Sequence, residues 1–145
     1  MSPRRIVVLA LAIFALTASV AFAESHQFRG KTEGLYFTTA GQDGHYRQAK
    51  IGFTRTGNRL TNFRWEIRVE CSDDTHKSYV IKPTGFLTLD EDGRFAGRIT
   101  QSDGSFDRIS GRVRGERASG AVRKVINGTP SCNSGRVEWK AHETE

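Results

Sequence analysis

Four histidines, two acidic runs and one Gly-Ser step are the residues of this chain with chemistry to offer, and their spacing sets what they can do. His26, His45, His76 and His142 lie in polar, turn-like stretches and share no H-x-x-H or Cys/His cluster of the kind that holds zinc. They read as solvated histidines. Asp73-Asp74 and Asp90-Glu91-Asp92 offer paired carboxylates, which acid–base catalysis or calcium binding would use. Neither run has the D-x-D-x-D-G…E spacing of a calcium loop, so both read as turns. Gly104-Ser105 is not part of a G-x-S-x-G nucleophile elbow and reads as a hairpin turn. Asn127-Gly128-Thr129 matches a glycosylation sequon but reads as an Asn-Gly turn. No catalytic, metal-binding or cofactor-binding residue is assigned from this inventory. A loop-built enzymatic site around Asp73, Asp74 and His76 is kept as an alternative.

The compartment is better marked. Arg4 and Arg5 precede an uncharged apolar run from Ile6 to Val20, and Ala21-Phe22-Ala23 follows as an A-x-A cleavage site. That order is a secretory signal peptide over residues 1–23, with residues 24–145 as one mature domain. A retained anchor is the rival reading, because Ile6 to Ala23 is 18 residues, the short limit for a bilayer span. The expected location is secreted or periplasmic, and the cleaved chain is not expected to be integral to a membrane. In such an oxidising place the only two cysteines, Cys71 and Cys132, are expected to form a disulfide. It would close a loop of 62 residues, which stabilises the fold by about 4 kcal/mol in the chain-entropy view. A pair this far apart is a staple rather than a redox site.

Charge supplies the functional expectation. Residues 94–140 hold ten Lys/Arg against four acids, while the rest of the mature chain is slightly acidic. The alternation set by Ile99, Val113, Val122 and Val137 sends Arg98, Arg112, Arg123 and Arg136 outward as a candidate anion-binding face. Guanidinium forks suit carboxylate, phosphate and sulfate groups. The partners expected outside the cytoplasm are an anionic cell-envelope polymer, a lipid headgroup or an acidic protein. Nucleic acid is not expected as the physiological ligand. The bland reading of the same arginines is a solubilising surface whose stems shield the sheet.

The elements that must position these residues are strands. After Ala23 the chain alternates short period-2 runs with Gly, Asn, Asp and Ser turns. Phe63, Trp65, Ile67, Val69 and Cys71 share one face of a strand; Arg64, Glu66, Arg68 and Glu70 share the other, expected in water. Ala49, Ile51 and Phe53 precede it across a Thr56-Gly57-Asn58 turn. Further strands are expected at Leu35–Thr39, Tyr79–Lys82, Phe86–Leu89 and Arg136–Ala141, with Asp90 to Gly93 as a turn. Glu24 to Arg29 and His142 to Glu145 are expected to fray. Gly97, Gly111 and Gly120 each sit between two core-facing apolar residues, which calls for sheet bending or for room for a large side chain such as Trp139.

Strong bending favours an all-β, meandering antiparallel barrel of about eight or nine strands; a two-layer β-sandwich is the alternative. Phe63, Trp65 and Trp139 are expected in its core, or lining a cavity if the barrel is hollow. Tyr36, Phe37 and Tyr46 flank the Gly41-Gln42-Asp43-Gly44 loop and could rim a mouth. The leading function is a non-enzymatic binding module, and the runner-up is a carrier of a small apolar ligand.

One resemblance accompanies this reading. Gly30-Lys31-Thr32, Ile51-Gly52-Phe53, Cys71, Asp92-Gly93-Arg94-Phe95, Ile109-Ser110-Gly111, Ala118-Ser119-Gly120, Cys132 and Gly135-Arg136-Val137-Glu138-Trp139-Lys140-Ala141 form a pattern. In it the chain resembles a loose group of uncharacterised, secreted bacterial β domains. The pattern spans most of the mature chain and consists of turn glycines, a cysteine pair and a last-strand tryptophan. It implies the fold, the export and the disulfide, and carries no activity.

Overall fold

Alternation of inward apolar and outward polar residues runs through the chain, and a computed structural model, which describes residues 22–39 and 44–145, turns it into strands. Residues 1–21, most of the expected signal peptide, and residues 40–43 lie outside the described residues. The strands are β1 (Ser25–Thr38), β2 (His45–Thr56), β3 (Arg59–Cys71), β4 (His76–Ile81), β5 (Leu87–Thr88), β6 (Arg94–Thr100), β7 (Phe106–Arg114), β8 (Arg117–Ile126), β9 (Cys132–Asn133) and β10 (Val137–Thr144). There is no helix among the described residues, and so none long and apolar enough to cross a membrane.

All pairings are antiparallel. The order β10-β1-β2-β3-β9-β8 returns on itself because β8 also pairs with β10, closing a six-stranded barrel. β7 and β6 extend the sheet beyond β8, while β4 and β5 pair with β3. The barrel expectation holds and the sandwich does not form. Closure requires the two chain ends to be each other's partners, with Gln27 opposite Thr144 and Thr32 opposite Trp139. The expected fraying of Glu24 to Arg29 and of His142 to Glu145 is therefore overturned. Phe28 is the one large apolar residue of that first stretch, and it is fully buried.

The core is a set of touching rings. Phe53 stacks on Phe28 at 4.9 Å between centroids and lies 5.2 Å from Phe63 and 6.0 Å from Trp139. Phe95 lies 5.7 Å from Phe63 and 6.2 Å from Trp139. Such pairs add to their area burial. Ile51, Leu60, Trp65, Ile109 and Val122 complete the packing. The Cys71–Cys132 disulfide forms, joining the end of β3 to β9 within a smaller cluster that includes Val69.

The glycine repeat has three different explanations. A Cβ on Gly111 would lie 2.6 Å from Trp139 Cζ2, so this glycine does make room for the tryptophan. One on Gly120 would lie 1.9 Å from the Ser110 carbonyl oxygen, which makes that glycine a point of close strand contact. At Gly97 the obstacle is the Leu87 side chain, at 2.8 Å.

Candidate functional site

The outer wall of β6, β7, β8 and β10 carries two rows of cations fixed by strand register. In the first row Arg98 is opposite Arg108, and Arg108 is opposite Arg123. Arg136, one residue before the Val137–Val122 pair, continues that row at the entry to β10. In the second row Arg94 is opposite Arg112, Arg112 opposite Ser119, and Ser119 opposite Lys140. It runs on through Lys31 to Lys50 around the barrel. Neighbouring backbone positions in a row are spaced by strand separation, about 4.8 Å, and the rows lie four residues apart, about 13 Å. Between them the floor is small, made of Ala96, Ser110 and Ala121, with Glu138 at its β10 end. Ala121 points outward yet is buried, in a dip that Arg108, Arg123 and Arg136 surround.

The four arginines singled out by alternation therefore do not form one stripe. Arg98, Arg123 and Arg136 belong to the first row and Arg112 to the second. Arg108 completes the first row, and its position before inward Ile109 was a usable signal for it. Arg94 joins Arg112 across the consecutive strands β6 and β7, whereas Lys140, and through it Lys31 and Lys50, needed the pairing of β10 with β8 and β1, which no local pattern encodes.

These side chains are held by neutral groups. Arg98 Nε donates to Thr100 Oγ1 at 3.2 Å and its guanidinium stacks 3.9 Å from the Phe106 ring centre. Arg112 Nε donates to the Asp92 carbonyl at 2.8 Å, and Arg123 Nε to Asn133 Oδ1 at 3.3 Å. Among the described residues the rows have one carboxylate contact, Arg136 with Glu138 at 4.0 Å. Like charges placed directly opposite destabilise a sheet by up to about 1 kcal/mol per pair.

Contrast the two ion pairs that are built in. Arg47 grips Glu66 with both guanidinium nitrogens, at 2.7 and 2.6 Å. Glu66 is 1% exposed, although its place in β3 gave it an outward, solvated expectation. The β2–β3 ladder ends at Ile51 opposite Trp65, and the Glu66 carboxylate then accepts the Lys50 N–H at 2.8 Å, as a strand carbonyl would. Burial pushes its pKa up, but the Arg47 fork, the Lys50 N–H and the nearby Arg64 outweigh it and hold the carboxyl below its ordinary value. The second pair is inward: Lys124 Nζ donates to both oxygens of Asp107 at 3.2 Å, each residue 8% exposed.

The residues with possible catalytic chemistry do not converge. Asp73 accepts from the Thr75 N–H and hydroxyl inside the β3–β4 turn, which lowers its pKa, and His76 faces Glu70 at 4.0 Å. Asp90 accepts from the backbone of Asp92 and Arg94 in the next turn. Ser105 Oγ accepts the Asn127 N–H. His26 pairs with Glu143, at the other end of the chain. Among the described residues no cluster of His, Cys, Asp or Glu is arranged to hold a metal ion. Phe37 and Tyr46 form an edge-to-face pair at 5.1 Å, both exposed.

Phe63, Trp65 and Trp139 are core residues. The space between them is occupied by rings, and the apolar cleft that reaches Trp65 has a volume of about 150 Å³. No protein-family model matches this sequence, and no curated protein proves similar to it.

Proposed function

We propose that this chain is an exported binding module that grips a linear anionic polymer of the cell envelope with the outer wall of β6, β7, β8 and β10. The observation that carries the reading is the pair of cationic rows, about 13 Å apart, over a floor of Ala96, Ser110 and Ala121. Apart from the long Arg136–Glu138 contact these charges have no carboxylate partner among the described residues, and their forked donors suit sulfate, phosphate or carboxylate groups. A polymer lying along either row, across the strands, would meet a cation from almost every strand it crosses, the strands being about 4.8 Å apart. Space also favours the wall over the interior: the cleft reaching Trp65, about 150 Å³, is half the roughly 300 Å³ at which ordinary ligand pockets begin. The disulfide and the leader pattern support export.

The test is retention on an immobilised sulfated polysaccharide across a salt gradient. The triple variant Arg94→Glu, Arg108→Glu, Arg123→Glu changes only exposed side chains and should keep the parent's thermal melt. It should elute at markedly lower salt, with a shallower dependence on salt, since fewer counterions are exchanged. Unchanged retention by a folded variant would remove this wall from consideration.

A further inference from the structure

We infer that the chain forms a two-fold dimer by pairing β4 with β4 of a second copy. Among the described residues β4 pairs with β3 alone, which leaves its other edge open. The Cys71 N–H donates to the Thr75 carbonyl at 2.9 Å, and from there the register runs unshifted from Glu70 opposite His76 to Trp65 opposite Ile81. Antiparallel pairs alternate between bonded and non-bonded, so Lys77, Tyr79 and Ile81 exchange hydrogen bonds with β3. His76, Ser78 and Val80 turn their N–H and C=O groups to the open edge, where no described residue bonds them. Such a row is a template for another strand. Apolar surface gathers beside it. Val80, Phe37 and Tyr46 are exposed, and the Phe37 N–H donates to Ser78 Oγ at 3.2 Å, which places Phe37 against the outer face of β4.

Charge selects the occupant and the register. The other open edge, β6, is guarded: Arg94 and Arg98 flank it, and Asp90 takes both backbone groups of Arg94. On β4, Lys77 is the one permanent charge. Its open edge admits only registers that match even-numbered residues with one another. Of these, centring the two-fold axis on Ser78 or on Tyr79 pairs the longest stretch of strand, residues 76–80 or 77–81. Centring on Tyr79 faces Lys82 with His76. Centring on Ser78 turns the exposed Lys82 toward the exposed Asp74 of the copy, an attraction at each end of the ladder. Ser78 then meets Ser78, His76 meets Val80 and Lys77 meets Tyr79, so no lysine faces a lysine. Phe37, bonded to Ser78, comes close to the axis and to its own counterpart. The contact is isologous and uses up the edge, so it stops at a dimer. The wall of β6, β7, β8 and β10 takes no part, and the dimer presents two such walls to one polymer chain.

The experiment is sedimentation equilibrium of the oxidised protein from about 1 μM to about 1 mM. No polymer is present, so a failed polymer assay and a failed dimer are separate results. The mass should rise with concentration from monomer to dimer and no further. Val80→Lys changes an exposed side chain and should keep the parent's thermal melt. It sets a cation opposite His76 at both ends of the ladder, and at about tenfold for each end it should weaken the dimer about a hundredfold. Register has its own readout. Mild oxidation should link Ser78→Cys into a covalent dimer, because the two facing Cα atoms lie about 5.5 Å apart, within disulfide reach. Val80→Cys should not cross-link, since its counterpart lies four residues along the ladder, about 13 Å away. A monomer at every concentration, a dimer indifferent to Val80→Lys, or a Ser78→Cys variant that cross-links no more than Val80→Cys would overturn the proposal.

Discussion

Arg47 and Glu66 bridge the point where β2 parts from β3, with Nη1 on Oε1 at 2.7 Å and Nη2 on Oε2 at 2.6 Å. The carboxylate also receives the Lys50 N–H, so one side chain satisfies a guanidinium and closes a ladder that the backbone has left open. Arg47 is covered in turn by Tyr36, whose ring centre lies 5.0 Å from the guanidinium carbon. Removing one partner of a buried pair costs far more than the pair contributes, because the other charge stays behind. Glu66→Gln should therefore destabilise the protein by about 3 kcal/mol, at the low end for buried pairs because Arg47 keeps some contact with water. Urea unfolding at pH 7 measures it. A loss within about 0.5 kcal/mol, the size of an ordinary surface change, would mean the fork is ornamental.

The same carboxylate gives stability a pH dependence of known sign. Its folded pKa lies below the ordinary 4.5, so the folded state favours the charged form. The contribution is complete above the unfolded value and is lost as pH falls through the folded one. Stability should decline from about pH 5 downward, and Glu66→Gln should show a shallower decline over that window. Asp73 and Asp103 are also lowered, by bonds within their own turns, and they act alike in parent and variant. The difference between the two acid-unfolding curves isolates Glu66.

The disulfide ties β9, a segment of two residues, to the end of β3, and β9 is what links β3 to β8 in the closed ring. Cys71→Ala with Cys132→Ala should cost about 4 kcal/mol, the closure entropy of the long loop. Chemical unfolding of the double variant against the oxidised parent reads this directly. Equal stability would show that the β3–β9 contact holds the ring without the bond.

Much of the architecture could be read from local pattern, and what could not depends on partners distant in sequence. Alternation over Phe63 to Cys71 gave the central strand and its buried face, and failed at Glu66, where the cause is an arginine 19 residues away, and in part at Arg68, half-buried against the Tyr46 ring. The polar ends Glu24 to Arg29 and His142 to Glu145 read as frayed because Phe28 is their one large apolar residue, and their order comes from pairing with each other. For the outer wall, sequence gave the direction of each arginine and register gave its neighbours. Lys31 and Lys50 joined the wall through two pairings that no local spacing reveals. The cleft at Trp65 was hidden for the same reason, since its two sides are separated in sequence and meet only in the fold.

The three glycines of the repeat rank themselves by what stands beside each. Gly97→Ala would press on Leu87, the far end of a flexible side chain that can turn away, and should cost less than about 1 kcal/mol. Gly111→Ala would meet both the Ser119 carbonyl oxygen and the Trp139 ring at 2.6 Å, and both are fixed. Overpacking of that kind costs about 1–3 kcal/mol. Gly120→Ala would place its methyl 1.9 Å from the Ser110 carbonyl oxygen and 2.6 Å from the Gly111 Cα. It can be accommodated only if β7 and β8 move apart, and β8 is a ring strand that β10 holds on its other edge. This variant should be the least stable of the three, beyond the ordinary overpacking range of about 3 kcal/mol. Thermal melts of the three single variants give the order. If Gly97→Ala proved the worst, the repeat would owe its glycines to the cleft side of β6 rather than to the β7–β8 contact.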